Sequence, residues 1–97
     1  MKTFKLERKK ARNTTYELYV LSICQDIVLS QKSPFSCIDN EYDIKRIFES
    51  RVKEIPRLTT AEAKYSYRAT IENECVNIWH LNSNGEQDRL VCSFCKI

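Results

Sequence analysis

The Asn84-Gly85 pair constrains the fold more than any other feature of this sequence. Gly85 is the single glycine of the chain, and it lies between two runs with strand character, residues 75–81 and 86–95. Both central residues of a tight two-residue hairpin need a positive φ, which Asn-Gly adopts readily. The pair therefore predicts an antiparallel hairpin near the C-terminus.

Two further segments alternate between apolar and polar residues, as half-buried strands do. Residues 2–9 alternate around Phe4 and Leu6, and residues 64–72 alternate throughout. The apolar positions of the second segment share one face: Tyr65, Tyr67, Ala69 and Ile71. The sequence thus predicts four strands.

Residues 14–31 favour a helix. Thr14 and Glu17 fit a capping box, and Ser33-Pro34 would end the helix. Between them, a stripe of residues recurs with helical period and is expected to be buried: Tyr16, Tyr19, Val20, Ile23, Cys24, Ile27 and Val28. The alternative is a buried strand paired with residues 2–9, because residues 16–23 are rich in β-branched and aromatic side chains.

Residues 40–55 carry the clearest helical pattern. Asp39 or Asn40 can cap its start, Glu49 and Lys53 form a favourable i, i+4 pair, and Pro56 ends it. Its buried face is predicted to hold Ile44, Ile47, Phe48, Val52 and Ile55.

Together these elements predict a β-α-α-β-β-β chain of the α+β class, with two helices packed on one face of an antiparallel sheet. The 97 residues fit a single domain, 1–97, with a basic N-terminal arm, residues 1–13. With 42% hydrophobic and 30% charged residues, the composition is that of a globular domain.

The hairpin also predicts which side chains share a face. If Asn84 and Gly85 form the turn, Trp79 faces Leu90, His80 faces Arg89, and Asn77 faces Cys92. With a three-residue loop at 72–74, Trp79 lies at the centre of the core. The opposite face then carries Arg68, Val76, Ile78, His80 and Arg89, and we interpret it either as a solvated surface or as a partner-binding surface.

Basic residues are concentrated at the start of the chain. Residues 1–12 hold six of them against Glu7 alone, whereas the remaining residues hold ten basic and twelve acidic groups. The cluster of Arg8, Lys9, Lys10 and Arg12 could contact nucleic-acid phosphates or an acidic protein surface, or be a frayed, solubilising turn. Because no aromatic residue interrupts the cluster, base stacking on it is not indicated.

The five cysteines are expected to be reduced thiols of a cytoplasmic protein, since their number is odd and the first residues do not resemble an export signal. The alternative is a zinc site built from Cys92 and Cys95 with Cys75 and His80. Alternation along a strand would place Cys92 and Cys95 on opposite faces, so no metal site is predicted.

No stretch reaches the length of a membrane span, and no Gly-rich phosphate loop or carboxylate pair at useful spacing is present. We therefore expect no cofactor, no catalytic residues and no membrane partner. The main hypothesis is a small interaction protein, an inhibitor or regulator that occupies a surface of a larger protein or protein–nucleic acid complex. Phage or mobile-element proteins that block host machinery are one setting for such a chain.

The element order, the length and the basic arm resemble the RelE/ParE toxin group. That resemblance implies a ribonuclease, in which Arg68, His80 and Arg89 could hold phosphate and exchange protons. A second alternative is a nucleic-acid-binding regulator, although the helix at 40–55 balances its basic residues with acidic ones.

Overall fold

The computed structural model describes residues 3–54 and 67–97. Its elements are β1 (Phe4–Arg8), α1 (Thr15–Ser30), α2 (Glu41–Val52), β2 (Tyr67–Glu72), β3 (Cys75–Leu81) and β4 (Gln87–Lys96). The strands form one antiparallel sheet in the order β1-β4-β3-β2. The predicted α+β class and element order are confirmed. Parts of the predicted elements lie outside the described ranges: Lys2, Ile55, Pro56 and residues 64–66.

The first helix is confirmed, and the strand alternative for its residues is wrong. Thr14 caps α1, since its Oγ1 accepts the N–H of Glu17 at 3.3 Å. The other half of the predicted capping box does not form, because the Glu17 carboxylate instead accepts the N–H of Arg12 at 3.1 Å. Tyr19, predicted on the buried stripe, is 40% exposed. The buried residues of α1 besides Glu17 are Val20, Leu21, Ile23, Cys24 and Ile27.

The second helix begins with a complete capping box. Asn40 accepts the N–H of Asp43, and the Asp43 carboxylate accepts the N–H of Asn40. Ile44, Phe48 and Val52 form its buried face. Glu49 pairs with Lys45 at 3.0 Å rather than with Lys53, so the predicted i, i+4 partner is wrong.

The turn between β2 and β3 is shorter than predicted. Glu72 pairs with Cys75, which leaves Asn73 and Glu74 as the two turn residues, with φ values of 50° and 64°. The three-residue loop was expected because it separates apolar from polar side chains better. Since side chains alternate along a strand, the change of one residue reverses the face of every side chain in β3.

A bulge in β4 produces a second reversal. Ile78 pairs with Cys92, and Val91 has no counterpart on β3. Beyond this point Asn77 pairs with Ser93, not with Cys92 as predicted. Because of the extra residue, the side chains of β4 that follow the bulge lie on the faces opposite to those predicted from the residues that precede it. The periodicity of the sequence did not reveal this bulge.

The core lies between the two helices and one face of the sheet, here called the inner face. Val76 and Ile78, predicted on the exposed surface, are 0% exposed in this core, so that prediction is wrong. The predicted two-residue turn at Asn84-Gly85 is wrong, because Leu81 pairs with Gln87 and the N–H of Asn82 donates to the carbonyl oxygen of Glu86 at 2.8 Å. A register shift between His80 and Leu81 offsets the longer loop, so the pairings Trp79–Leu90 and His80–Arg89 are confirmed, but on reversed faces. Trp79 belongs to the outer face, away from the helices, and is only half-buried there, because the short turn reverses β3.

Candidate functional site

A row of side chains crosses the outer face of the sheet. Trp79 of β3 lies between Arg68 of β2 and Leu90 of β4. The indole Nε1–H donates to Thr70 Oγ1 at 2.9 Å, which ties the ring to the neighbouring strand. The row therefore combines a positioned aromatic ring with the exposed guanidinium of Arg68.

The other end of the outer face is occupied by contacts between its own residues. Asn77 donates to Glu72 Oε1 at 3.2 Å and accepts from Ser93 Oγ at 2.7 Å. Beside them Cys75 and Cys95 form a disulfide. The reduced state expected for this pair is corrected, since the two residues are directly opposite on adjacent strands. The placement of Cys95 away from the core-facing Cys92 agrees with the predicted opposite faces.

The basic arm continues β1 along the edge of β4. The N–H groups of Lys9 and Lys10 donate to the carbonyl oxygens of Val91 and Leu90 at 2.9 and 3.0 Å. The alternative of a frayed turn is therefore wrong for these two residues. Because the backbone is anchored, both lysines stay beside the row that contains Trp79.

An ion pair between α1 and β4 anchors the arm a second time. Arg89 Nη1 and Nη2 donate to the two Glu17 oxygens, each at 2.6 Å. Nη1 also donates to the carbonyl oxygen of Lys10 at 2.9 Å, while the Glu17 carboxylate holds the N–H of Arg12. The Glu17 side chain is 2% exposed and that of Arg89 is 12% exposed. This pair joins the helix, the arm and the sheet.

Both members of this pair are stabilised in their charged forms. Burial alone would raise the pKa of the Glu17 carboxyl, but the hydrogen bonds from Arg89 and from the Arg12 backbone outweigh it and lower the pKa. The hydrogen bond with Glu17 raises the pKa of Arg89. The Arg89 guanidinium is thus committed to a structural contact.

The arm and the outer face border an open cleft of about 640 Å³. It is lined by Arg8, Lys9, Lys10, Trp79, Asp88, Arg89 and Leu90. With Arg89 neutralised by Glu17, three cations remain against the single carboxylate of Asp88 among these lining residues. The cleft therefore presents positive charge beside apolar surface.

The predicted binding residues separate into different environments. Val76 and Ile78 lie in the core, and Arg89 is held by Glu17, so the predicted surface combining them with His80 does not exist. Arg68 remains on the outer face, within the row described above.

The predicted arm residues that line the cleft are Arg8, Lys9 and Lys10. The side chain of Arg8 also donates to Asn13 at 2.7 Å. Arg12 is exposed.

His80 lies on the inner face, away from Arg68. Its Nδ1 is 2.8 Å from Asp88 Oδ1, and its ring meets Tyr67 edge-to-face with centroids 5.4 Å apart. Burial raises the pKa of the Tyr67 hydroxyl, and the nearby Glu17 carboxylate adds to the effect. The arrangement of Arg68, His80 and Arg89 implied by the toxin resemblance is not assembled, because Arg68 is on the opposite side of the sheet and Arg89 is paired.

Sequence reasoning missed Trp79 and Leu90 as surface residues. Both depend on the two-residue turn at Asn73-Glu74 and on the bulge at Val91. Asn73 was the available signal, since asparagine tolerates positive φ better than most residues do. Glu74 in the same conformation had no comparable signal.

Comparisons with protein-family models, curated proteins and solved structures found no match to this chain. Within residues 3–54 and 67–97, no three side chains of His, Cys, Asp or Glu are grouped so that they could hold a metal ion. None of the helices in these ranges has the length and apolar character to cross a membrane.

Proposed function

We propose that the protein is a small non-enzymatic interaction protein that inhibits or regulates a larger protein or nucleoprotein by occupying its surface. The observation that carries the proposal is the cleft between the basic arm and Trp79. Neither helix packs over it, since both lie on the inner face. An aromatic ring and an aliphatic side chain bordered by cations are typical of binding surfaces.

The polar contacts support binding over catalysis. Arg89 is held by the Glu17 carboxylate and the carbonyl oxygen of Lys10, and His80 Nδ1 lies 2.8 Å from Asp88 Oδ1. Lys9 and Lys10 at the cleft are held by their backbones, and the Lys9 ammonium makes a solvent-exposed contact of 3.8 Å with Glu7 Oε2. Such groups suit recognition of a negatively charged surface.

A pull-down from host lysate tests the proposal. We expect the wild-type chain to retain a stoichiometric partner, and Lys9→Glu with Lys10→Glu to lose it. Lys32→Glu with Lys53→Glu is the matched control, because it makes the same change of charge at exposed positions outside the cleft. Equal retention by wild type and the Lys9/Lys10 variant would refute the cleft as the binding site.

The ribonuclease alternative retains one supporting contact, the His80–Asp88 pair at 2.8 Å. A general base held by a carboxylate is a common catalytic arrangement. Growth on induction distinguishes the two functions: a ribonuclease toxin would arrest growth, and His80→Ala would relieve the arrest. Harmless expression, or arrest unchanged in His80→Ala, would exclude this alternative.

A cytoplasmic location also stays a proposal. Disulfides are uncommon in the reducing cytosol, so the Cys75–Cys95 bond argues against this location and makes it testable. Alkylation of the protein in freshly lysed cells should find both thiols free if the chain resides in the cytoplasm. Protection of the pair from alkylation would contradict that location.

A further inference from the structure

We propose that the cleft binds a single-stranded nucleic acid, with one base stacked on Trp79 and neighbouring phosphates held by Lys9, Lys10 and Arg68. This inference rests on the proposed interaction function and names the chemical class of the partner. The sequence alone argued against stacking, because no aromatic residue lies near the basic cluster along the chain. The fold brings Trp79 to it.

The aromatic half of the site is a positioned indole. Its Nε1–H is bonded to Thr70, which restrains rotation of the ring, and Leu90 lies beside it in the same row. A restrained ring loses little conformational freedom when a base stacks on it. Stacking on an aromatic ring is the main sequence-independent contact of proteins with single strands.

The cationic half flanks the indole on both sides. Lys9 and Lys10 lie along the β4 edge, and Arg68 lies on β2, the opposite edge strand of the sheet. Three strand spacings separate β1 from β2, which corresponds to roughly 14 Å. Phosphates on either side of a stacked base would therefore each meet a cation.

The geometry favours a single strand over a duplex or an acidic protein. Bases within a duplex are covered on both faces by their neighbours, so a base step must be unstacked before one of them can stack on Trp79. The carboxylates of an acidic protein surface would satisfy Lys9 and Lys10 but offer the indole no ring to stack on. A strand with unstacked bases matches both features.

Trp79 is the single tryptophan of the chain, which gives the test an internal reporter. The purified protein is titrated with 12-nucleotide oligo-dT, oligo-rU and an abasic oligodeoxynucleotide of equal length. Binding is followed by fluorescence anisotropy of labelled strands and by quenching of the indole. We expect quenching by the two base-containing strands and not by the abasic one. The stronger of the DNA and RNA signals identifies the source of the ligand.

Three cations predict a slope of about −2 for log K against log salt concentration. Trp79→Leu, measured by anisotropy, should weaken binding of oligo-dT roughly 5- to 150-fold and leave binding of the abasic strand unchanged. Trp79→Phe keeps a ring and should recover most of the affinity. Circular dichroism and thermal melts confirm that each variant is folded before it is titrated.

The outcomes separate this inference from the proposed function. Equal binding of abasic and base-containing strands, or unchanged indole fluorescence, would overturn stacking. Failure of all three strands to bind would overturn the nucleic-acid partner altogether. Retention of a protein from nuclease-treated lysate, lost in the Lys9/Lys10 variant, would in that case still support the interaction function with an acidic protein as partner.

Discussion

The ion pair between Glu17 and Arg89 should be a principal determinant of stability. The Glu17 carboxylate accepts three N–H groups and is 2% exposed, so Glu17→Gln leaves a poorly solvated guanidinium without its counter-charge. Breaking a buried pair in this way costs about 3–5 kcal/mol. Because Arg89 keeps some contact with solvent, we expect a loss near the lower limit, about 3 kcal/mol.

That loss is large for a domain of this size, whose total stability is expected to be roughly 5–15 kcal/mol. In urea denaturation followed by far-UV circular dichroism, it should lower the midpoint by about 2–3 M, for an m-value of roughly 1–1.5 kcal/mol/M. The double variant Glu17→Leu with Arg89→Met removes both charges and should recover much of the stability.

The same pair predicts a dependence on pH. Because the pKa of Glu17 is lower in the folded protein than its ordinary value of 4.5, its stabilisation is fully present above that value. It is lost as the pH falls through the lower folded pKa. The free energy of unfolding of wild type should therefore decrease below about pH 4.5 more steeply than that of Glu17→Gln.

Two results would refute this reasoning. One is a loss below 1 kcal/mol for Glu17→Gln at pH 7. The other is additivity of the Glu17→Leu and Arg89→Met effects in a double-mutant cycle, since paired groups must show a coupling energy.

Three further predictions concern local structure. Glu74→Gly should raise stability by about 0.5–1 kcal/mol in a urea titration, because glycine adopts the φ of 64° without strain; a loss would contradict this. Reduction of the Cys75–Cys95 disulfide should cost roughly 3 kcal/mol of stability, from the chain-entropy relation for a separation of 20 residues. The loss should appear as a lower melting temperature with reductant. An unchanged melting temperature would show that the bond does not constrain the unfolded chain. Gln31→Leu removes two buried hydrogen bonds to the backbone of Phe4, at 2.9 and 2.7 Å. It should speed hydrogen exchange of the Phe4 amide and lower the free energy of unfolding by about 1–3 kcal/mol. Unchanged exchange would refute the role of the Gln31 side chain in covering the β1 edge.

Local signals in the sequence determined the elements and their order. Thr14 and Asn40 mark the starts of the helices because their side chains satisfy free N–H groups of the first turn. The Asn84-Gly85 pair marks the place of the C-terminal hairpin, although of the two residues only Gly85 has a positive φ, 79°, and the loop is longer than two residues. The arm residues of the candidate site were likewise recognisable from charge alone.

Only the tertiary structure decided which side chains face the solvent. The faces of β3 and of part of β4 depend on one residue in the turn at Asn73-Glu74 and one in the bulge at Val91. A shift of one residue exchanges the two faces of a whole strand. Which register is more stable depends on packing against the helices, and the periodicity of the sequence carries no information about that packing. The meeting of Trp79 with Lys9 joins positions 70 residues apart, and it follows from the pairing of the first strand with the last.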